Sequence, residues 1–139
     1  MPANDGHDLV RASGGRLHPR ALAGLVLIND GRYFEAHEAL EDAWRLEPGP
    51  VRDLYRGILQ AAVVYLHITR FNYRGAIKVY GRSQRWLRGW PGVCRGVHVG
   101  RLRDDLERVV AEVKRLGPEQ LADLDISLLR PVTFDHDRI

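Results

Sequence analysis

His37 and Glu41 stand four residues apart in the stretch Phe34-Glu35-Ala36-His37-Glu38-Ala39-Leu40-Glu41-Asp42-Ala43-Trp44. On a helix that spacing puts both side chains on one face, where they could grip one metal ion or share a proton. A histidine with a carboxylate partner suits general-base work or divalent-metal binding. At 100° per residue, the apolar arc holds Tyr33, Ala36, Leu40, Ala43 and Trp44, with Glu35, Glu38 and Asp42 opposite. His37 and Glu41 join neither group. They fall beside Trp44, between the apolar arc and Phe34, where polar groups are partly buried and need partners. The segment His37 to Glu41 is one residue short of the zinc-protease pattern His-Glu-x-x-His, because a glutamate fills the second histidine position. The near-match does not make a protease, and the Glu-x-x-His pattern of di-iron bundles occurs nowhere in the chain.

Two further groups carry chemistry. Gln60 and His67 are seven residues apart, two turns along one helical face, in line with Gly57 and Val64. Gly57 weakens a helix and marks a close helix approach. If the two helices pack antiparallel, His37, Glu41, Gln60 and His67 could meet at one water-lined spot. The alternative is a buried polar network that fixes how the helices pair. The other group, Arg74, Lys78, Arg82, Arg85 and Arg88, occupies one third of a helix circumference with no acid among them. Like charges at i, i+4 repel, so something compensates: phosphate as nucleic acid or nucleotide, or the acidic Glu35, Glu38 and Asp42 face, within the chain or in a second copy. Plain solvation is the commonest meaning of such a face. Tyr73, Tyr80, Trp86 and Trp90 are near enough to offer stacking surfaces. Arg70 to Gly75 could hold a single anion at a helix start, although a capping Asn72 explains most of that signal. Cys94 sits beside Arg95, which could lower its pKa, but no other feature marks it as a nucleophile.

The elements positioning these residues are all helices. A first runs from His18 or Pro19 to Asn29 and stops at Asp30-Gly31. A second, Tyr33 to Leu46, ends before Pro48-Gly49-Pro50. A third, Arg52 to Phe71, is apolar on all sides in its middle and belongs at the centre of a bundle. Asn72 caps a fourth, Tyr73 to Arg88. A fifth, Val97 to Leu116, stops at Gly117-Pro118, and a short turn from Pro118 to Leu124 precedes an extended tail. The expected organisation is a disordered segment over residues 1–16, an all-α domain of about five helices over 17–116, and a short helical turn with extended tail over 117–139. Tyr33-x-x-Ala36 and Tyr73-x-x-Ala76 echo each other 40 residues apart, a spacing known from two-helix repeats.

Composition bounds the rest. The chain has 139 residues, enough for one cored domain. A single cysteine excludes an internal disulfide. No apolar segment is long enough to span a membrane, and the first residues lack the apolar run of a signal peptide, so a cytoplasmic protein is expected. The net charge of +3 hides an asymmetry. Between Asp53 and Asp104 stand ten basic residues and no acid, whereas Asp30 to Asp53 holds seven acids against three arginines.

The stretch Asn29 to Arg45 resembles the signature of a small prokaryotic family, domain of unknown function 309, which reads approximately Phe-Glu-x-His-Glu-x-x-Glu-x-x-Trp. A second family segment, Gly-(Leu/Ile)-x-Gln-x-Ala-x-x-x-x-His followed by Asn-x-x-Gly-Ala, is matched by Gly57, Ile58, Gln60, Ala62, His67, Asn72, Gly75 and Ala76. The resemblance covers about residues 17 to 90. It implies an all-helical bundle and supplies no activity, substrate or cofactor. It also adds Glu38 to the candidate site. The expected site is therefore His37, Glu38, Glu41, Gln60 and His67, supported by Phe34, Trp44, Gly57 and Asn72. Such a pocket would take a small ligand or a divalent metal, with hydrolysis as one use. The competing expectation is an interaction module whose basic fourth helix meets nucleic acid or an acidic protein face. Nucleic acid is the less favoured partner at this stage, and the oppositely charged helix faces also suggest a homo-oligomer.

Overall fold

The computed structural model describes residues 11–135. From Pro19 on, five helices follow one another among the described residues: α1 (Pro19–Asn29), α2 (Tyr33–Leu46), α3 (Arg52–Thr69), α4 (Tyr73–Leu87) and α5 (Val99–Gln120). Two short 3-10 turns, Leu121–Asp123 and Ile126–Leu128, complete an all-α domain. No β-strand is present among the described residues; isolated bridges join Val97 to Cys94 and to Phe134.

Local chemistry sets the helix ends. Pro19 opens α1, where its missing N–H costs nothing, and the His18 ring accepts the Arg20 N–H at 3.0 Å. Past α1, Gly31 takes a left-handed φ of 76°, and the Arg32 N–H returns to the Leu27 carbonyl at 2.9 Å. Phe71 does the same past α3, with φ of 57°, and the Asn72 N–H returns to the His67 carbonyl at 2.8 Å. The next residues, Arg32 (φ −94°, ψ 69°) and Asn72 (φ −94°, ψ 84°), have nearly the same backbone. The echo in the sequence is thus an echo in space: α1–α2 and α3–α4 are two helical hairpins with one turn geometry. Burial repeats with it, since Ala21 and Ala61, Leu25 and Tyr65, Ile28 and Ile68, and Ala36 and Ala76 are all buried.

The hairpins stack in chain order, α1 on α2, α2 on α3 and α3 on α4, with α5 against α4. The core runs through Leu25, Leu40, Tyr55, Ile58, Leu87 and Leu106, each fully buried. Gly57 lets α3 and α4 close on each other, because a Cβ there would stand 2.7 Å from Leu87 Cδ2 and 3.2 Å from the Trp86 backbone. Helix α3 is central as expected but not wrapped on all sides. Arg56, Leu59, Gln60, Val63, Leu66 and His67 form a half-exposed stripe along it, open between α2 and α4.

Three expectations need correction. Helix α5 begins at Val99 and runs in name to Gln120, yet Gly117 (φ 74°, ψ 175°) leaves helical geometry there, so the break at Gly117-Pro118 stands. The tail is not simply extended: it forms the turn Ile126–Leu128 before Val132 exchanges two hydrogen bonds with the Asn29 side chain, at 2.7 and 3.0 Å. Of the segment 1–16 expected to be disordered, residues 1–10 lie outside the described residues. Residues 11–16 are tied down instead, because the Arg95 guanidinium donates to the carbonyls of Ala12 at 2.9 Å and Arg16 at 2.8 Å.

Candidate functional site

Helix α2 presents His37, Glu41 and Trp44 along its half-exposed edge. His37 Nε2 lies 3.6 Å from Glu41 Oε2, and both side chains are about one-third exposed, at 30% and 33%. Glu41 also forms an ion pair with Arg45 at 2.9 Å, so its carboxylate is shared between an imidazole and a guanidinium. The Phe34 ring lies 6.0 Å from that of His37 and is largely exposed. Glu38 is exposed, and no ion pair engages it among the described residues. The wheel placed it towards solvent, and it is there.

His67 and Asn72 form a different unit. The Gly75 N–H can only donate, so the oxygen that receives it, at 3.0 Å, must be Asn72 Oδ1. This turns the Asn72 amide N–H towards His67 Nδ1, 3.1 Å away. Nδ1 must then be the unprotonated nitrogen, and in the neutral ring the proton sits on Nε2. Burial and, secondarily, the nearby Arg70 cation push the His67 pKa below its usual 6.5, which favours that neutral ring. Gly75 completes the unit, since a Cβ there would meet Asn72 Nδ2 at 2.6 Å and His67 Nδ1 at 2.8 Å. His67 therefore offers its surroundings an Nε2–H donor, not a metal-binding lone pair.

Two turns back along the same face, the Gln60 carbonyl oxygen is buried and has no hydrogen-bond partner among the described residues. An orphaned buried acceptor is uncommon and costs free energy unless water or ligand meets it. The Tyr65 hydroxyl is a second orphan, on the core side of α3; burial raises its pKa, and the charges of Asp105 and Tyr33 add to that.

The expected meeting of His37, Glu41 and His67 at one metal does not occur. No group of three His, Cys, Asp or Glu side chains among the described residues is arranged to hold a metal ion. His37 is committed to Glu41 on α2, and His67 to Asn72 at the α3–α4 turn. Cys94 is buried, and that burial pushes its thiol up to about 12 despite the Arg95 charge, so the lowered pKa considered from the sequence is absent.

The basic helix stands apart from the acidic one. Asp42 pairs with Arg20 of α1 at 3.0 Å, Glu35 with Arg32 at 2.7 Å, Glu41 with Arg45, and Glu47 with Arg95 at 3.5 Å. Arg74, Lys78, Arg82, Arg85 and Arg88 form no ion pair with any carboxylate among the described residues. Compensation of α4 by the α2 acids within the chain is thereby overturned: nearby arginines hold Glu35 and Asp42, and Glu38 forms no ion pair with α4. At the start of α4, Asn72, Tyr73, Arg74, Gly75, Ile77 and Lys78 line a shallow depression.

Residues 21–79, from α1 into α4, match the family model described as domain of unknown function, DUF309. An uncharacterised protein of Aquifex aeolicus (strain VF5) is 28% identical over 94 residues, which cover 67% of this chain and 28% of that protein. The uncharacterised protein YpuF of Bacillus subtilis (strain 168) is 33% identical over 88 residues, 61% of this chain and 51% of YpuF. The chain thus spans about half, or less, of the length of these relatives.

Within the DUF309 region, the residues matching the two sequence segments fall into two physical sets. Ala36, Gly57, Ile58, Ala62 and Ala76 are buried and bring helices together, while Asn72 and Gly75 build the α4 cap. His37, Glu41, Trp44, Gln60 and His67 are half-exposed along the open side of α2 and α3. The sequence reading missed Arg52 and Arg56 on that side. Their guanidinium carbons lie 5.5 and 5.1 Å from the Trp44 ring centroid. The absence of acids after Asp53 was the available signal, but it was read only on α4.

Proposed function

We propose that this chain is a helical binding module whose basic α3–α4 hairpin holds a polyanionic partner, nucleic acid. The carrying observation is the partition of ion pairs. The α2 carboxylates of Glu35, Glu41 and Asp42 are engaged by arginines of α1, α2 and the turn between them, whereas the four cations of α4 and Arg88 at its C-cap form no ion pair with a carboxylate among the described residues. Uncompensated like charges on one helix repel, and a phosphate backbone relieves that repulsion while releasing counterions. Sequence reasoning ranked this partner second because a charged helical face is most often merely solvated. With Glu35 and Asp42 held by other arginines and no acid paired to α4, the polyanion reading gains weight. Lys78→Glu with Arg82→Glu abolishes salt-sensitive retention of DNA or RNA strands, and a folded wild-type protein that retains neither at low salt defeats the reading.

A second reading has its own observation. The orphaned Gln60 oxygen and the His67 Nε2–H supply an acceptor and a donor on one face of α3, which suits a small neutral polar ligand or an ordered water. His37, Glu38 and Glu41 would then border that ligand from α2. Metal plays no part in this reading.

A further inference from the structure

Trp44, Trp86 and the arginines around them form one cation–π series across α2, α3 and α4. The Arg56 guanidinium carbon lies 5.1 Å from the Trp44 ring centroid and 4.4 Å from that of Trp86. One α3 arginine thus engages both neighbouring helices. Arg52, a turn away, lies 5.5 Å from the Trp44 ring, and Arg85 lies 4.9 Å from the Trp86 ring. The order Arg52, Trp44, Arg56, Trp86, Arg85 alternates cation and ring.

Stacking uses the flat face of a guanidinium and leaves its N–H edges free. Each guanidinium has five such donors and no acceptor. None of Arg52, Arg56 and Arg85 forms an ion pair with a carboxylate among the described residues. Arg52 and Arg56 also repel each other at i, i+4. The rings therefore gather three cations close together, with N–H edges that no carboxylate among the described residues ion-pairs. Such edges match the bidentate geometry of a phosphate.

We propose that Arg52, Arg56 and Arg85, held on Trp44 and Trp86, form a phosphate-binding station for the backbone of a nucleic acid strand. The station rests on the polyanion reading of α4 and extends it onto α3 and α2. A strand, not a free phosphate, is the occupant because the cations continue from Arg74 along α4 to Arg88 at its C-cap. That row is roughly 21 Å long at the helical rise per residue, too long for one phosphate group. Each ring already carries two guanidiniums, so the series offers backbone contact instead of the base stacking of aromatic platforms. Binding is accordingly indifferent to base sequence.

The test titrates a labelled mixed-sequence DNA single strand into wild-type protein, Arg56→Lys, Arg56→Gln, and the α4 variant Lys78→Glu with Arg82→Glu. Inorganic tripolyphosphate serves as competitor. Arg56→Lys keeps the charge but loses the planar fork, and is expected to weaken binding about tenfold, with Arg56→Gln weaker still. Arg52→Gln, on an exposed residue, gives an independent loss of about threefold should either Arg56 variant melt early. Competition by tripolyphosphate is expected only far above the strand concentration. If Arg56 and Arg52 variants bind like wild type while the α4 variant has lost binding, the station is wrong and the α4 reading survives. If wild-type protein binds no strand, both fall. Tripolyphosphate displacing the strand at equal concentration overturns the assignment to a strand.

Discussion

The hairpins α1–α2 and α3–α4 follow the same backbone path 40 residues apart, with Gly31 and Phe71 in matching left-handed turns. Their surfaces are opposite in kind. In the first hairpin three acids are each met by an arginine: Asp42 by Arg20, Glu35 by Arg32 and Glu41 by Arg45. In the second the acid is Asp53, at the start of α3, and no ion pair joins the hairpin's arginines to a carboxylate among the described residues, so they lie against tryptophan or extend into solvent. Exposed ion pairs contribute little to stability, so the difference has small consequences for folding. It matters for what each hairpin can meet. The lesson is that one fold unit, used twice, can be closed electrostatically in one copy and left open in the other.

The largest expected effect lies in the packing that distinguishes the second hairpin. Gly57→Val would drive a branched side chain into Leu87 and the Trp86 backbone. Urea denaturation is expected to register a loss of about 2–3 kcal/mol. Wild-type stability in this variant would mean that α3 and α4 are not held so close, and that Trp86 is not fixed against Arg56.

A smaller effect separates the two turns. Asn72 caps α4 through its side chain, whereas Arg32 makes no side-chain cap at the matching place on α2. Asn72→Ala should therefore cost about 1 kcal/mol, and Arg32→Ala stay within about 0.5 kcal/mol. Equal losses would break the distinction.

The smallest effect is on pH dependence. Because folding lowers the His67 pKa, the unfolded chain binds the proton more readily. Stability then falls as pH drops through and below the unfolded value of about 6.5. Protonation also puts an N–H on Nδ1, against the Asn72 amide that donates to it. His67→Gln is expected to flatten that part of the stability profile. A variant that still loses stability as steeply between pH 7 and 5 would remove His67 as the cause.

Helix order, the centrality of α3 and the turn at Asn72 were legible because they depend on local signals: apolar spacing, Pro and Gly punctuation, and a capping side chain. The pairing of His37 with Glu41 was equally readable, being fixed by one helix. Reach across helices was not. His37 and His67 looked convergent on two separate wheels, but each is engaged close to its own backbone, one by Glu41 and the other by Asn72. Likewise Arg20 of α1 takes Asp42, a contact that only the hairpin fold creates. Arg56 sits between Trp44 and Trp86 because Gly57 lets α4 approach, and no sequence period encodes that distance.

The central claim is that the second hairpin is the open one, and strand binding by two matched charge reversals tests it most directly. One carries Lys78→Glu with Arg82→Glu on α4, and the other Glu38→Lys with Asp42→Lys on α2, each titrated with a DNA strand across a salt series. The α4 reversal is predicted to abolish binding. The α2 reversal should leave it intact or strengthen it, with wild-type affinity falling by about 0.7 log units per phosphate contact for each tenfold rise in salt. Equal losses from both reversals, or affinity that does not change with salt, would contradict the account.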